Sequence, residues 1–488
     1  MLLQKEKQYK GDKLYMGKKV LFVASECTPF VKTGGLADVI GSLPQALQQT
    51  ENIDVSVMLP LYQEIWDNWQ NQLTKINSLP LNVGWRKHDA TIYHTTHQGI
   101  PFYFIKNDYY FSRHGVYGYE DDGERYLFFC QAVMEALKVI DFEADILHAH
   151  DWQAGLAIAF ANITPPTKQL KTVFTIHNIK YQGILLKDAY ADLFNISDEH
   201  IGGLEWDGLL NCMKSGIFHA DKITTVSPTY AEEITFPFYG EGLDSIIRER
   251  KNDVIGILNG IDLNDYNPNT DPHLNTKYSY SRIKKKENKE ILQKKLGLKV
   301  DPEIPMYVMI TRLVEQKGLH LVQAILDEFL NENVQFVLLG TGDYEFENFF
   351  YHAEKRNKEK LVSYLGFDEA LARQIYASGD FFVMPSLFEP CGLSQLIALQ
   401  YKTVPIVRET GGLKDTVTPF NEYSLEGNGF SFKNYNAHEL LEQLKYSLSI
   451  YQNEEKWQAL LKNVNKSYYS WDDSAHAYAD LYHELHQA

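Results

Sequence analysis

The sequence predicts an α/β protein of two similar halves, each a parallel sheet with crossover helices. Three observations carry this. Short apolar runs alternate with longer amphipathic stretches along the 488 residues, the pattern of strands joined by helices. Many of those runs are nearly continuous in apolar residues, as strands covered on both faces must be. One glycine turn also occurs twice, as Thr33-Gly34-Gly35-Leu36-Ala37-Asp38-Val39 and as Thr410-Gly411-Gly412-Leu413-Lys414-Asp415-Thr416-Val417, each time before a helical stretch.

In the first half the expected strands are Val20–Ser25, Val55–Pro60, Ile146–His150, Thr172–His177, Lys222–Val226 and Val254–Leu258. The run then breaks from about Asp262 to Pro305, a stretch rich in Asn, Asp, Pro and Lys that ends in a basic, helix-like segment. Strands resume at Met306–Thr311, Val334–Leu339, Phe381–Pro385 and Val404–Val407, and helices are expected over Trp152–Asn162 and Leu319–Leu330. The domain junction falls at Gly260–Asp262, which gives domains 1–259 and 260–469, followed by an aromatic-rich helix over 470–488. Each half is then close to the upper end of the usual domain range of about 50–250 residues.

Composition narrows the function. Apolar residues are 44% and charged residues 23%, ordinary for a globular protein. The net charge is −17, a poor match to a phosphate backbone, so no nucleic-acid partner is expected. An anionic small ligand would need a locally basic site. The cysteines, Cys27, Cys130, Cys212 and Cys391, are far apart and form no C-x-x-C, which is intracellular usage. No apolar run is long enough for a membrane span. The N-terminus, MLLQKEKQYKGDKLYMGKK, has a three-residue apolar start and lacks Arg and Ser, so neither a signal nor a transit peptide is expected and the location is cytoplasmic.

Several chemistries are missing. Gly340-Thr341-Gly342 does not extend to a dinucleotide fingerprint, no Walker A lysine motif occurs, and Gly392-Leu393-Ser394 fails as a nucleophile elbow. His483-Glu484-Leu485-His486 is one residue short of a zincin motif. His148-Ala149-His150-Asp151 has the residue types of a metal site, but its two rings are expected on opposite faces of a strand, so no metal is expected there.

Four segments remain. Lys32 beside the Gly34-Gly35 turn pairs a cation with backbone amides at a helix start, which suits phosphate. Thr311-Arg312-Leu313-Val314-Glu315-Gln316-Lys317-Gly318 places two cations just past a strand, where sheet ligands bind; a guanidinium fork and an ammonium together fit a diphosphate. Pro385-Ser386-Leu387-Phe388-Glu389-Pro390-Cys391-Gly392-Leu393-Ser394-Gln395 puts a carboxylate in a stiff turn before a helix. There Glu389 can accept bonds from sugar hydroxyls while the amides of Gly392 and Leu393 hold phosphate. Phe174-Thr175-Ile176-His177-Asn178 ends a strand on a histidine.

Together these segments resemble the glycogen and starch synthases, retaining glucosyltransferases of the two-domain GT-B fold. The matching pieces are KTGGLADV, HAHDWQAGL at 148–156, TIHNIKYQG at 175–183, GILNGID at 256–262, TRLVEQKG at 311–318, PSLFEPCGLSQ at 385–395 and TGGLKDTV at 410–417. The resemblance implies two Rossmann-like doubly wound parallel-sheet domains facing across a deep cleft, with the final helix crossing back to the first domain. It implies glucosyl transfer from ADP-glucose to the non-reducing end of an α-1,4-glucan, with no cofactor and no metal. A UDP-glucose enzyme of the same fold, a use of another acceptor and a catalytically weak glucan-binding scaffold remain alternatives, and a homo-oligomer is left open.

By position, the resemblance gives Lys32, His177, Arg312, Lys317 and Glu389 the catalytic roles. Donor contacts would come from Lys32, Gly34, Gly35, Asp38, Asn259, Arg312, Lys317, Phe367, Cys391, Gly392, Leu393, Thr410, Gly411 and Gly412. Acceptor contacts would come from Glu26, Tyr117, Asp151, Trp152 and Asn178. Three positions depart from the family pattern. Leu387 stands where a basic residue is usual, Phe367 where Tyr is common, and Tyr266 where Trp is common in the hinge. Phe367 keeps a ring for stacking on a base and loses a phenolic hydrogen bond.

Overall fold

The computed structural model describes residues 18–166 and 168–487. All but the last two residues of the N-terminal stretch, for which no signal or transit peptide is expected, lie outside the described residues.

The first half holds a nine-stranded sheet. From one edge the strands are Val254–Gly256, Lys222–Thr225, Lys171–Ile176, Ile146–His150, Lys19–Val23, Asp54–Pro60, Ile100–Lys106, Arg86–His97 and Thr74–Val83. Neighbours are parallel as far as Ile100–Lys106, and the last two pairs are antiparallel. The second half holds a six-stranded, all-parallel sheet in the order Leu361–Leu365, Gln335–Gly340, Met306–Ile310, Phe381–Met384, Val404–Arg408, Phe430–Phe432.

In both sheets the first strand of the half is central. In the second sheet the chain winds outward on one side, returns, and winds outward on the other, the strand order of dinucleotide-binding sheets; in the first it passes from Asp54–Pro60 to the edge strand Thr74–Val83 and comes back inward through Arg86–His97 and Ile100–Lys106 before crossing to the other side. The strand order therefore reverses beside Lys19–Val23 in one half and beside Met306–Ile310 in the other. Such reversals open a crevice at the carboxyl ends of the strands, where ligands bind.

Burial follows the strand pattern. In the second sheet Tyr307, Met309, Phe336, Leu338, Phe381 and Val383 face one core, and Met306, Val308, Val337, Leu339, Phe382 and Met384 face the other. Successive side chains point to opposite faces, so near-continuous apolar strands fill both cores. The hairpin Thr74–Val83/Arg86–His97 was not anticipated, because it is a partly exposed edge whose polar and apolar residues mix. A small three-stranded antiparallel sheet formed by Ile184–Leu186, Glu205–Trp206 and Leu209–Asn211 was missed for its shortness. The basic segment after the break is the helix Arg282–Leu296, with Ser281 accepting the Lys284 amide hydrogen at its start and Gly297 at its end.

Two passes of chain join the halves side by side. The Ile261 amide donates to the Tyr469 carbonyl at 2.9 Å. A Cβ on Gly260 would sit 2.4 Å from the Ser470 carbonyl carbon, so only glycine allows this crossing. The final helix, Trp471–Gln487, packs Trp471, Tyr478, Leu481 and Tyr482 into the first core. Its Tyr482 hydroxyl lies 2.7 Å from His148 Nδ1, and Ser474 Oγ donates to the Leu258 carbonyl.

His148 and His150 correct one expectation. Residues i and i+2 of a strand share a face, and the two rings stack with centroids 4.2 Å apart. His148 is committed on both nitrogens, to Tyr482 and to Thr175 Oγ1 at 2.6 Å. Replacing Tyr482 by Phe leaves His148 Nδ1 buried without that partner, and a loss of about 1–3 kcal/mol is expected. Urea unfolding of Tyr482→Phe measures it, and an unchanged midpoint would contradict this role for the bond.

Candidate active site

The two crevices meet across the halves. In the second, the loop after Met306–Ile310 and the loop after Phe381–Met384 are bound to each other. Gln316 Nε2 donates to the Phe388 carbonyl at 3.2 Å, and the Leu387 amide donates to the Gln316 carbonyl at 2.8 Å. Gly318 has φ +72°, and a Cβ there would lie 2.0 Å from the Pro385 carbonyl oxygen. This close approach sets Lys317 against Glu389. The ammonium donates to both carboxylate oxygens, at 2.9 and 2.7 Å, and Ser386 Oγ donates to one of them at 3.0 Å. Arg312, on the same loop, is exposed and has no carboxylate partner among the described residues. Phe367 stands 88% exposed past the end of Leu361–Leu365, beyond the same carboxyl edge.

The first half supplies the facing wall. His177 follows the strand Lys171–Ile176, and its Nε2 lies 3.1 Å from His150 Nδ1. Asp151, at φ +59°, accepts the amide hydrogens of His177 at 2.8 Å and Asn178 at 3.3 Å. Burial pushes His177 down to about 3 and Asp151 up to about 7, the latter against the pull of its two amides. Asn178 Oδ1 in turn accepts the Lys180 amide hydrogen, and the Lys180 ammonium lies 5.8 Å from the centre of the Phe388 ring, next to Glu389. Ser227 Oγ donates to the Pro390 carbonyl at 2.7 Å, binding the Glu389 turn to the first half.

A reciprocal contact fixes the two halves further. The short helices Pro228–Glu233 and Gly411–Thr416 lend each other carboxylates. Asp415 accepts from the Thr229 amide at 2.9 Å and from Thr229 Oγ1 at 2.6 Å. Glu233 accepts from Thr410 Oγ1 at 2.9 Å and from the Gly411 amide at 3.1 Å. Each carboxylate thus sits at the positive end of the other helix.

This contact changes the reading of the glycine turns. Thr410, Gly411 and Gly412 were expected to hold donor phosphate. The Gly411 amide is taken by Glu233, and the Gly412 amide by the carbonyls of Glu389 and Pro390. The first turn is closed in the same way. Glu26, expected beside the acceptor, is buried, and its Oε2 accepts from the amides of Thr33 and Gly34 and from Thr33 Oγ1. Gly34 is therefore spent on Glu26. The amides of Gly35 and Leu36, at the start of the helix Gly35–Glu51, donate to no acceptor among the described residues, nor do those of Gly392 and Leu393. These two sets of free amides adjoin, since a Cβ on Gly35 would be 3.5 Å from Leu393 Cδ1.

The remaining expected residues divide. Lys32, about half exposed, pairs with Asp38 at 2.7 Å. Burial raises the Asp38 pKa and Lys32 opposes that rise. Tyr117 donates to Glu26 Oε1 at 3.2 Å and lies 2.7 Å from Ser25 Oγ. Trp152 is mostly buried, with its ring edge-on to Tyr126. Asn259 is buried in the hinge and reaches the Cys391 thiol, which burial pushes up to about 12. Leu387 leaves no cation on its turn, but Arg408, from the next strand, donates to the carbonyls of Ser386 and Leu387 beneath it. Arg408, Glu233, Ser227 and Ser386 were missed; the first three lie outside any local pattern and act through the fold, while Ser386 lies within the 385–395 segment and its bond to Glu389 shows only in three dimensions. A cavity of about 150 Å³ at the hinge borders Asp38 and Leu393, and Arg312, Lys317 and Glu389 lie outside it.

Comparison with known proteins agrees with this geometry. Residues 19–249 match the family model "Starch synthase catalytic domain" and residues 288–464 match "Glycosyl transferases group 1". A glycogen synthase of Oceanobacillus iheyensis is 58% identical over 468 residues, covering 96% of this chain and 98% of that protein. One from Bacillus subtilis is 46% identical over 475 residues, covering 96% and 98%. The catalytic domain of Arabidopsis thaliana starch synthase IV, solved with ADP and acarbose, superposes with a TM-score of 0.87 at 32% identity, covering 97% of this chain and 100% of that one. Two doubly wound domains whose strand ends face each other across a crevice holding Arg312, Lys317 and Glu389 define a GT-B glycosyltransferase. The chain belongs to the glycogen and starch synthase family.

Two outcomes follow from the site. Lys317→Ala strands the buried Glu389 carboxylate with Ser386 alone. Removing one partner of a buried pair costs about 3–5 kcal/mol, and somewhat less is expected here because Lys317 keeps some solvent contact. Lys317→Ala/Glu389→Gln should recover much of the loss in urea unfolding, and additive losses would contradict the pairing.

The second concerns pH. His148 and His150 are held well below their ordinary value, His177 is near 3 and His219 near 4, all chiefly by burial. Below about pH 6.5 the unfolded chain takes up protons that the folded one refuses, so stability present above that pH is lost as pH falls. Asp151 acts oppositely, because its folded form is protonated below about 7 while the unfolded carboxylate is ionised. Burial also lowers His88 and His94, and it raises Asp38 and Glu233; the six histidines outnumber the three carboxylates, so the urea midpoint should fall from pH 6.5 to pH 5. A flat or rising midpoint would contradict the buried neutral histidines.

Proposed function

We propose that this chain transfers the glucosyl group of ADP-glucose to the non-reducing end of an α-1,4-glucan, with retention at the anomeric carbon. The Lys317–Glu389 pair beside the unpaired Arg312 carries this reading. It sets a diphosphate site and a sugar-hydroxyl acceptor within one ion-pair distance of each other. Membership of the family supports the glucan acceptor. The ADP in the starch synthase IV structure and the exposed ring of Phe367 support an adenine nucleotide.

In the reaction the bond from glucose C1 to the β-phosphate oxygen breaks, and its electron pair leaves with the diphosphate. Arg312, Lys317 and Lys32 receive that charge, and the free amides of Gly35, Leu36, Gly392 and Leu393 add donors. Charge arranged in advance at the leaving group is usually the largest catalytic contribution. Glu389 holds Lys317 in place before the donor arrives and takes hydroxyls of the glucose once it is bound. The acceptor hydroxyl attacks C1 from the face the diphosphate leaves, and its proton passes to the departing phosphate oxygen. His177 faces this centre as a neutral ring, since burial keeps it unprotonated, and so adds no positive charge where positive charge develops. The Cys391 thiol is too weakly acidic to serve as a covalent nucleophile. The side-chain cations provide the neutralisation, so we assign no metal and no cofactor. We place the reaction in the cytoplasm, which the four free, buried cysteines suit.

Nucleoside diphosphate release is followed with ADP-glucose or UDP-glucose, with and without glycogen. Glycogen-dependent ADP release is expected; release from UDP-glucose alone would overturn the donor, and release without glycogen incorporation would overturn the acceptor. The Arg312 side chain has no ion-pair or hydrogen-bond partner among the described residues, so Arg312→Gln should keep the melting temperature while turnover falls by about 10²–10³. Near-normal turnover would remove Arg312 from the leaving-group site.

A further inference from the structure

The second domain carries a pocket at the other end of its sheet. It is about 410 Å³ in volume. Asp380 and Ser378, which line it, precede the strand Phe381–Met384, and Lys402 precedes Val404–Arg408. It therefore opens at the amino ends of the strands whose carboxyl ends carry Glu389 and Arg408. The full height of the sheet separates it from the active site.

Its charge is opposite to that of the chain. Arg282, Lys285, Lys286, Lys289, Lys402 and Lys462 line it, against the single carboxylate of Asp380. Lys289 takes Asp380 at 2.6 Å, Arg282 pairs with Glu454, and Lys286 pairs with Glu303. Lys285, Lys402 and Lys462 have no carboxylate partner among the described residues. The Lys285 ammonium donates only to neutral oxygens, including the Tyr401 carbonyl at 3.0 Å and Thr403 Oγ1 at 2.8 Å. The Lys402 ammonium, on a residue only 8% exposed, sits over the rings of Tyr280 and Tyr468 at 5.5 and 5.7 Å. Burial lowers Lys285 to about 7, against the pull of Asp380, and Lys402 to about 8. A further group is unspent: the Ser378 hydroxyl, on a residue 1% exposed, has no hydrogen-bond partner among the described residues. In a chain of net charge −17, ammonium groups without an ion-pair partner beside an orphan hydroxyl and tyrosine rings form a site suited to an anion.

We propose that this pocket binds a small phosphate monoester carried on a ring, with the phosphate received by Lys285, Lys402 and Lys462 and the ring lying on the tyrosine wall. The ring is that of a sugar or a nucleoside. The shared chemistry is the dianionic phosphate, and the site is separate from the leaving-group site of the reaction.

Isothermal titration calorimetry of the full chain with inorganic phosphate, glucose 6-phosphate, AMP and neutral maltoheptaose tests this. One of the two organic phosphates should bind more tightly than inorganic phosphate, and the tighter one identifies the source. Two variants place the binding. Ser378→Ala removes a hydroxyl that bonds to nothing and so should fold normally. Lys402→Met replaces a buried charge by an apolar chain of similar length. Each should weaken the organic phosphate at least about tenfold, or about 1.4 kcal/mol, while ADP affinity and basal turnover stay unchanged. Binding that survives both variants would overturn the proposal by placing the ligand elsewhere. So would no binding of either organic phosphate at about 5 mM (about −3 kcal/mol), or maltoheptaose binding that is equally lost in the variants.

Discussion

The exchange of carboxylates between Pro228–Glu233 and Gly411–Thr416 is the constraint on which the site depends. Glu233 closes the second glycine turn, and Asp415 closes the first turn of the opposing helix. With Ser227 bound to Pro390, these contacts hold the Glu389 turn against the loop that bears His177. Each half alone would be an ordinary doubly wound sheet with an open crevice. The site arises only where the two crevices face each other, so the geometry of the chemistry is set by interdomain hydrogen bonds. The same contacts give the glycine turns a structural duty that their sequence does not announce.

Electrostatics then divide the labour. Cations stand at opposite ends of one sheet in an acidic chain. At the carboxyl end, Lys317 is held by Glu389 and Arg312 has no carboxylate partner among the described residues; at the amino end, Lys402 and Lys285 have none either. A pair such as Lys317–Glu389 is poor evidence of stability. Under the proposed function it is a preorganised device, in which Glu389 keeps in position the cation that would meet phosphate. The neutral histidines fit the same logic, since a protonated His177 would oppose a cationic centre at glucose C1.

Much of this was legible in the residues. Strands buried on both faces must be continuously apolar, so the parallel cores were visible as runs such as Tyr307–Met309 and Phe381–Met384. Loops beyond strand ends carry ligands, so Arg312, Lys317 and Glu389 could be picked out from position and charge. The edge hairpin was not visible, because an exposed strand may carry either polarity. What fills a backbone amide in the glycine turns is decided in three dimensions, beyond the reach of the local pattern: Glu26 lies seven residues from Thr33, and Glu233 lies in the other half from Gly411. His148 and His150 were misread by neglect of the two-residue strand period.

The most direct measurement is a crystal structure of the chain with ADP bound. The account predicts diphosphate oxygens about 3 Å from Lys317 Nζ and from the Arg312 guanidinium, near the free amides of Gly35 and Leu393. A nucleotide seated away from Lys317 and Arg312, with the Lys317–Glu389 pair undisturbed and turned from the phosphates, would contradict it.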